Sequence, residues 1–87
     1  MNLPDPWQAK VWTDAGSLHI DVRGLPPPQP LVQILQLVSG SRDGAAIFVH
    51  HDRDPAMLYP ELLLLGWWAE RVPGDPGEFR LRLAPQA

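Results

Sequence analysis

The chain has 87 residues, a length that allows one small domain with a single core and excludes separate cofactor and substrate domains. Acidic residues outnumber basic ones by 10 to 7, for a formal net charge of -3, which argues against a nucleic-acid partner. No cysteine is present, which excludes disulfides, zinc-thiolate sites, iron-sulfur clusters and thiol nucleophiles.

The first 16 residues predict an N-terminal arm, because charges and prolines surround the apolar residues Trp7, Val11 and Trp12. Turn-forming residues at 13–16 also allow Lys10–Trp12 to pair as a short strand with the segment that follows. The arm has neither a basic start nor a long apolar run. We therefore expect a cytoplasmic protein with no membrane partner.

The next segment predicts a strand followed by a helix. Leu18, Ile20 and Val22 alternate with polar residues, which is the period of a strand with one buried face. Beyond the prolines of residues 26–30, apolar residues recur at helical spacing, at Leu31, Ile34, Leu35 and Val38. Ser39 and Gly40 then predict the end of this helix.

The second half of the chain predicts another strand and helix, and then a hairpin. Residues 45–49 predict a buried strand, and Asp54 with Pro55 predicts the cap and first residue of the second helix. Pro60 lies inside that helical segment, so the helix is either kinked there or begins near Tyr59. Residues 67–72 and 79–83 predict two strands joined by a turn rich in proline and glycine.

This order predicts an α/β fold. It is a two-layer sandwich with the sequence strand-helix-strand-helix-strand-strand, a mixed four-stranded sheet and two helices on one face. Residues 1–16 are then an N-terminal arm, residues 17–84 a single domain and residues 85–87 a C-terminal tail.

The end of the first strand resembles a known signature. Residues Asp21–Leu25 run into Pro26–Pro30, which resembles the TusA-type, or SirA-like, sulfur-carrier superfamily, where Asp-x-Arg-Gly-Leu precedes Cys-Pro-x-Pro. Residues 50–60 also resemble a subgroup of small, often bacterial domains of unknown function related to those carriers. The resemblance places Pro27 where the carriers have their persulfide-bearing cysteine. Since the chain has no cysteine, the resemblance implies a TusA-like domain that cannot hold persulfide sulfur.

Polar residues follow the carboxyl ends of the two strands predicted to be parallel, the usual ligand crevice of such sheets. They form our candidate anion-binding edge, Arg23, His50, His51, Asp52 and Arg53. The two arginines either clamp a small anion or pair with neighbouring aspartates. The prolines of residues 26–30 lack N–H groups, which makes the start of the first helix a poor phosphate cradle.

His50 and His51 also raise a metal hypothesis, with Asp52 as a third ligand. Adjacent strand residues face opposite sides, so both histidines reach one ion only if the strand has already ended. One alternative is a histidine bonded to the backbone beside one in solvent. Another is an acid-base pair of His51 and Asp52, which has no Ser, Cys or Lys nucleophile nearby. We predict no bound metal, no cofactor and no catalytic residue.

Two adjacent tryptophans are the candidate interface. Of Trp67 and Trp68, one should pack on the helices and the other should lie on the open face of the sheet. An exposed tryptophan there predicts an unknown protein partner or a weak homodimer. The alternative is that the N-terminal arm covers it.

Two functions fit these residues. The first is a non-catalytic binding or adaptor domain, acting through a protein contact or a small anion at the proline-rich edge. The second is an enzyme subunit of sulfur or redox metabolism that uses His50, His51 and Asp52 with a metal or a bound anion. The missing nucleophile favours the first.

Overall fold

A computed structural model of the chain describes residues 8–86, which form five strands and two helices. In chain order these are β1 (Lys10–Asp14), β2 (Ser17–Asp21), α1 (Gln29–Gly40), β3 (Ile47–His51), α2 (Leu58–Leu64), β4 (Trp67–Val72) and β5 (Phe79–Pro85). The predicted α/β class, the order of elements after residue 17 and the placement of both helices on one face are confirmed.

The strands form one mixed sheet in the order β1-β2-β3-β5-β4. β2 and β3 are parallel, and every other neighbouring pair is antiparallel. The prediction of four strands is wrong by one, because Lys10–Asp14, inside the predicted arm, joins the sheet as β1. Ala15 and Gly16 have φ of 52° and 82°, and such a two-residue turn matches the twist of a hairpin. At the other end, β5 reaches Pro85, the first residue of the predicted tail.

The core lies between the helices and one face of the sheet. Its members are apolar and nearly all fully buried: Ala9, Ile20, Val22, Ile34, Val38, Ile47, Val49, Leu58, Leu62, Trp67, Leu81 and Leu83. Burying these side chains is the main favourable contribution to folding. The alternate residues of each strand lie on the opposite side, which we call the open face. It includes Trp12, His19, Phe48, His50, Trp68, Arg80 and Arg82.

Trp67 and Trp68 lie on opposite sides of β4, as strand alternation requires. Trp67 is 7% exposed and belongs to the core. Trp68 is half-buried on the open face, where the guanidinium carbon of Arg82 is 5.3 Å from its ring centroid. The arginine covers part of this ring, and the interface predicted at Trp68 stays a prediction.

The second helix begins later than its predicted cap. α2 starts at Leu58, which places Pro60 in the first turn, where backbone N–H groups need no partner within the helix. The prediction that Asp54 caps this helix is wrong, because its Oδ1 instead accepts a hydrogen bond of 2.6 Å from the Tyr59 hydroxyl. Among residues 8–86, no helix is long and apolar enough to cross a membrane.

Candidate functional site

The loops that follow β2 and β3 lie side by side at one edge of the sheet. The N–H of Val22 donates to the carbonyl of His50 at 3.0 Å, which extends the parallel pairing by one step. Beyond it, Asp52 Oδ2 accepts the N–H of Gly24 at 3.2 Å. The two loops predicted to surround the ligand crevice are therefore held together by backbone and carboxylate contacts.

These loops and the starts of the two helices enclose an apolar groove of about 260 Å³, which we call the helix-edge groove. It is lined by Leu25, Pro27, Pro28, Pro30, Leu31, His51, Arg53, Pro55, Met57 and Leu58. Only His51 and Arg53 in this set are polar. The edge that the sequence predicts as an anion site is thus a mainly hydrophobic groove with a polar contribution from one loop.

The two polar lining residues differ in their exposure to solvent and in how closely their neighbours hold them. The His51 side chain is 5% exposed, and its Nδ1 lies 2.9 Å from the backbone N of Asp52 and 3.1 Å from Asp52 Oδ1. The Arg53 side chain is 68% exposed, and its Nε lies 3.4 Å from Asp52 Oδ1, at the long limit of a hydrogen bond. Arg53 therefore has a guanidinium that is open to an incoming anion.

Arg23 does not line the groove. Its Nε and Nη2 donate to the two carboxylate oxygens of Asp21 at 3.0 and 2.9 Å. These hydrogen bonds from Arg23 lower the pKa of Asp21 below its ordinary value. Of the two alternatives open for this arginine, the structure has the ion pair with a neighbouring aspartate.

His50 is also separated from the predicted edge, because β3 includes both histidines and turns them to opposite faces. On the open face, His50 Nδ1 lies 2.6 Å from Glu78 Oε2, and His50 Nε2 lies 2.9 Å from His19 Nδ1. We call His19, His50 and Glu78 the imidazole relay. Among residues 8–86, no group of three or more His, Asp or Glu residues is arranged to hold a metal ion.

Glu78 anchors the relay from the interior. Its side chain is 1% exposed, and its carboxylate accepts hydrogen bonds from Arg80 Nε and Nη2 at 3.0 and 2.8 Å and from the N–H of Asp75 at 2.9 Å. The contact with Arg80 is the main reason that the pKa of Glu78 falls to about 2. At neutral pH this group is a carboxylate, so His50 Nδ1 donates to it.

The His50–Glu78 contact also bears on the proton between the two imidazoles. When His50 carries its proton on Nδ1 alone, its Nε2 accepts the Nδ1–H of His19. His19 then carries its free electron pair on Nε2. Burial and, next, the neighbouring His50 lower the pKa of His19 below its ordinary value.

Aromatic rings enclose this pair of imidazoles. Trp12 stacks on His19 and on His50 with centroid separations of 5.2 and 5.3 Å, and His19 stacks on Phe48 at 5.0 Å. Trp12 was predicted only as part of the arm, and neither His19 nor Glu78 was predicted as a site residue. The available signal was alternation, because His19 lies next to buried Ile20 in the strand and must face away from the core.

The imidazole relay and the helix-edge groove both lie in a part of the chain that matches a known family. Residues 19–85 match DUF2249, a family described as an uncharacterised conserved protein. The chain belongs to this family. The DUF2249 region starts at His19, so it contains every residue of the imidazole relay and of the helix-edge groove, whereas β1 precedes it. A search of curated proteins finds no match.

Proposed function

We propose that this DUF2249 protein is a non-catalytic binding domain whose helix-edge groove takes an apolar segment of a partner protein. A carboxylate in that segment lies against Arg53. The observation that supports this function is the groove itself, which is hydrophobic and bordered by one exposed guanidinium. Recognition of this kind needs neither a nucleophile nor a bound metal.

Hydrophobic contact supplies most of the binding free energy in this proposal. Met57 is 74% exposed at the mouth of the groove, and its flexible thioether adapts to differently shaped partners. The four lining prolines have rigid rings, so little side-chain entropy is lost when a ligand covers them. An apolar partner side chain that enters the groove removes these surfaces from water.

Charge decides which apolar segments bind. Within residues 8–86, Arg53 is held only by its long contact with Asp52, so an incoming carboxylate can take up the remaining guanidinium donors. Arg23 is no competitor, because both oxygens of Asp21 already occupy it. We therefore favour an acidic, apolar segment over a purely apolar or a basic one.

The resemblance to the TusA-type carriers fits this function. Under that resemblance Pro27 stands at the position of the carriers' cysteine, and Pro27 lines the helix-edge groove. We propose that the chain uses a carrier-like scaffold, and that the place where a carrier presents sulfur is here a surface for contact. With no cysteine in the chain, a persulfide donor should leave its intact mass unchanged.

The enzyme alternative has less support. It requires His50, His51 and Asp52 to meet at one site, whereas β3 turns His50 to the open face. This alternative also invokes a bound anion, and Arg53 alone is the better candidate to bind it.

The test uses 1-anilinonaphthalene-8-sulfonate, a probe that joins an apolar ring system to an anion. We expect its fluorescence to rise with the protein, and the backbone amides of Gly24, Arg53 and Met57 to shift in NMR titrations. Met57→Asp should weaken binding about tenfold by placing a charge in the groove. Arg53→Gln should weaken it about threefold, as expected for an exposed ion pair.

Two variants serve as controls. Arg23→Gln removes an arginine outside the groove, and Leu64→Asp removes an apolar side chain that is 81% exposed on α2 but does not line the groove. Both should bind the probe as the unmodified chain does. Equal binding by Met57→Asp, or shifts confined to the α2 surface around Leu64, would rule out the groove as the binding site.

A further inference from the structure

We infer that two copies of this chain pair through β1, in antiparallel register about Trp12, to form a continuous sheet. Among residues 8–86, β1 pairs only with β2, so its other edge carries backbone donors and acceptors without a strand beside them. All five residues of β1 are exposed. This inference concerns the end of the sheet and is independent of the helix-edge groove.

The hydrogen-bond pattern of β2 determines which groups of β1 face outward. Leu18 donates its N–H to the carbonyl of Ala46, so its backbone groups point toward β3 and away from β1. Thr13 lies opposite Leu18, and this pair exchanges no backbone hydrogen bonds. In an antiparallel pair of that kind, the N–H and C=O of each residue point away from the partner strand. The N–H and C=O of Thr13, and by alternation those of Val11, therefore point outward.

This geometry suits a twofold axis at Trp12. In antiparallel register, Val11 of one copy lies opposite Thr13 of the other, and such a pair exchanges N–H···O=C bonds in both directions. Trp12 then lies opposite Trp12 in the non-hydrogen-bonded pair between them, where the two side chains are closest. The same surface serves both copies, as a closed twofold dimer requires.

Charge complementarity selects a second copy as the occupant of this edge. Lys10 and Asp14 are the two ends of β1 and, like Trp12, face the open side of the sheet. In the register about Trp12, each Lys10 lies opposite Asp14 of the other copy. Directly opposed charges of unlike sign stabilise a strand pair, and like charges destabilise it. The strand is thus its own electrostatic complement.

The ring stack of the open face adds an apolar contribution. Trp12 is 40% exposed, although it already stacks on His19 and His50 on its inner side. Pairing about Trp12 brings the two indoles together and joins the ring stacks of both copies. Cross-strand aromatic pairs of this kind stabilise strand pairing.

Charge reversal provides the experiment. Lys10→Asp gives a copy with two acidic ends, and Asp14→Lys gives one with two basic ends, so each variant alone repels itself at both charged pairs. We expect the unmodified chain to show a concentration-dependent monomer-dimer equilibrium in sedimentation, and each variant to be monomeric over that range. An equimolar mixture of the two variants should dimerise again, because every opposed pair then has unlike charges.

The mixture also controls for effects within one copy. Lys10 lies beside Asp21 in the β1-β2 pair, and any loss of stability caused there is the same in the pure and mixed samples. As a second variant, Thr13→Pro removes an outward N–H while the bonds between β1 and β2 remain, and circular dichroism checks its fold. It should be monomeric.

Trp68→Ser tests the competing interface that the sequence predicts at Trp68, and it should leave dimerisation through β1 unchanged, because Trp68 lies on β4 at the opposite edge of the sheet. A monomeric unmodified chain at the highest concentration reached would overturn the inference. So would a mixture that stays monomeric, or a dimer that is lost in Trp68→Ser but retained in Thr13→Pro.

Discussion

His50 and His51 are neighbours in the chain, yet they belong to two different environments. His50 lies on the open face in a network of polar contacts that runs from Arg80 through Glu78 to His19. His51 lies in the wall of an apolar groove, next to a loosely held arginine. The comparison indicates that the first region uses its polar groups to hold the sheet together, and the second leaves surface and charge available for binding.

The largest effect should come from breaking the network at its anchor. Glu78→Ala removes a buried carboxylate and leaves Arg80, His50 and the N–H of Asp75 without their acceptor. Loss of one partner from a buried charged network costs about 3 kcal/mol of unfolding free energy. Urea denaturation measures it.

Glu70→Ala is the control for this change, since Glu70 makes a similar contact with Arg82 at 3.2 Å but its side chain is 50% exposed. Its cost should stay below about 1 kcal/mol. If the two variants lose equal stability, the Glu78 network does not stabilise the sheet beyond a surface ion pair.

The second effect is a loss of stability on acidification. His19 has a lowered pKa, so its contribution is fully present above the unfolded value of 6.5 and is lost as the pH falls through the folded value. Glu78, with its pKa lowered from 4.5 to about 2, contributes fully above 4.5 and loses that contribution as the pH falls toward 2. Unfolding free energy should therefore decrease from pH 7 downward in two stages.

His19→Gln separates the stages. The glutamine amide can still donate to His50, but it does not titrate, so the slope of stability between pH 7 and 5 should become shallower. An unchanged slope would mean that the stacked imidazoles are not the source of the first stage.

A smaller effect is expected at the groove. Asp52→Ala removes the acceptor of the Gly24 N–H and should cost about 1 kcal/mol, the ordinary value of one hydrogen bond. Because this contact joins the two loops, amide exchange at Gly24 should quicken and probe binding should weaken. Asp43→Ala, which removes an acceptor of the Ala45 N–H within a single loop, should leave both unchanged.

The smallest effect belongs to Arg23. Its ion pair with Asp21 is exposed, so Arg23→Ala should change the unfolding free energy by less than about 1 kcal/mol, measured by the same denaturation. A loss as large as that of Glu78→Ala would show that the distinction between the two regions does not depend on burial.

Local patterns were enough to predict most of the fold. The alternation at residues 18–22 and the spacing from Leu31 to Val38 both correspond to real elements, since each pattern follows from burying one face. The start of α2 was harder, because Asp54-Pro55 is a good cap signal locally, but the chain forms a turn there and Asp54 bonds to Tyr59. The fifth strand depended on positive φ at Ala15, a residue that seldom adopts it.

The sites were less predictable, because they depend on register between distant strands. The crevice rule correctly brought the loops after β2 and β3 together, yet it does not say which side chains fill the space between them. His19 and Glu78 are 59 positions apart by their numbers, and only the pairing of β2, β3 and β5 brings both to His50. A single sequence does not specify the register between distant strands, so it contains no signal that His19 and Glu78 both reach His50.

The two-residue turn between β1 and β2 has a consequence for the order in which the protein folds. Closing so short a loop costs little chain entropy, whereas the pairing of β2 with β3 has to wait for the whole α1 crossover. Hairpins of this size close in about 1–10 μs. We therefore expect Trp12 and His19 to meet first, as an early local nucleus, and His50 and Glu78 to join them only when the crossover is complete.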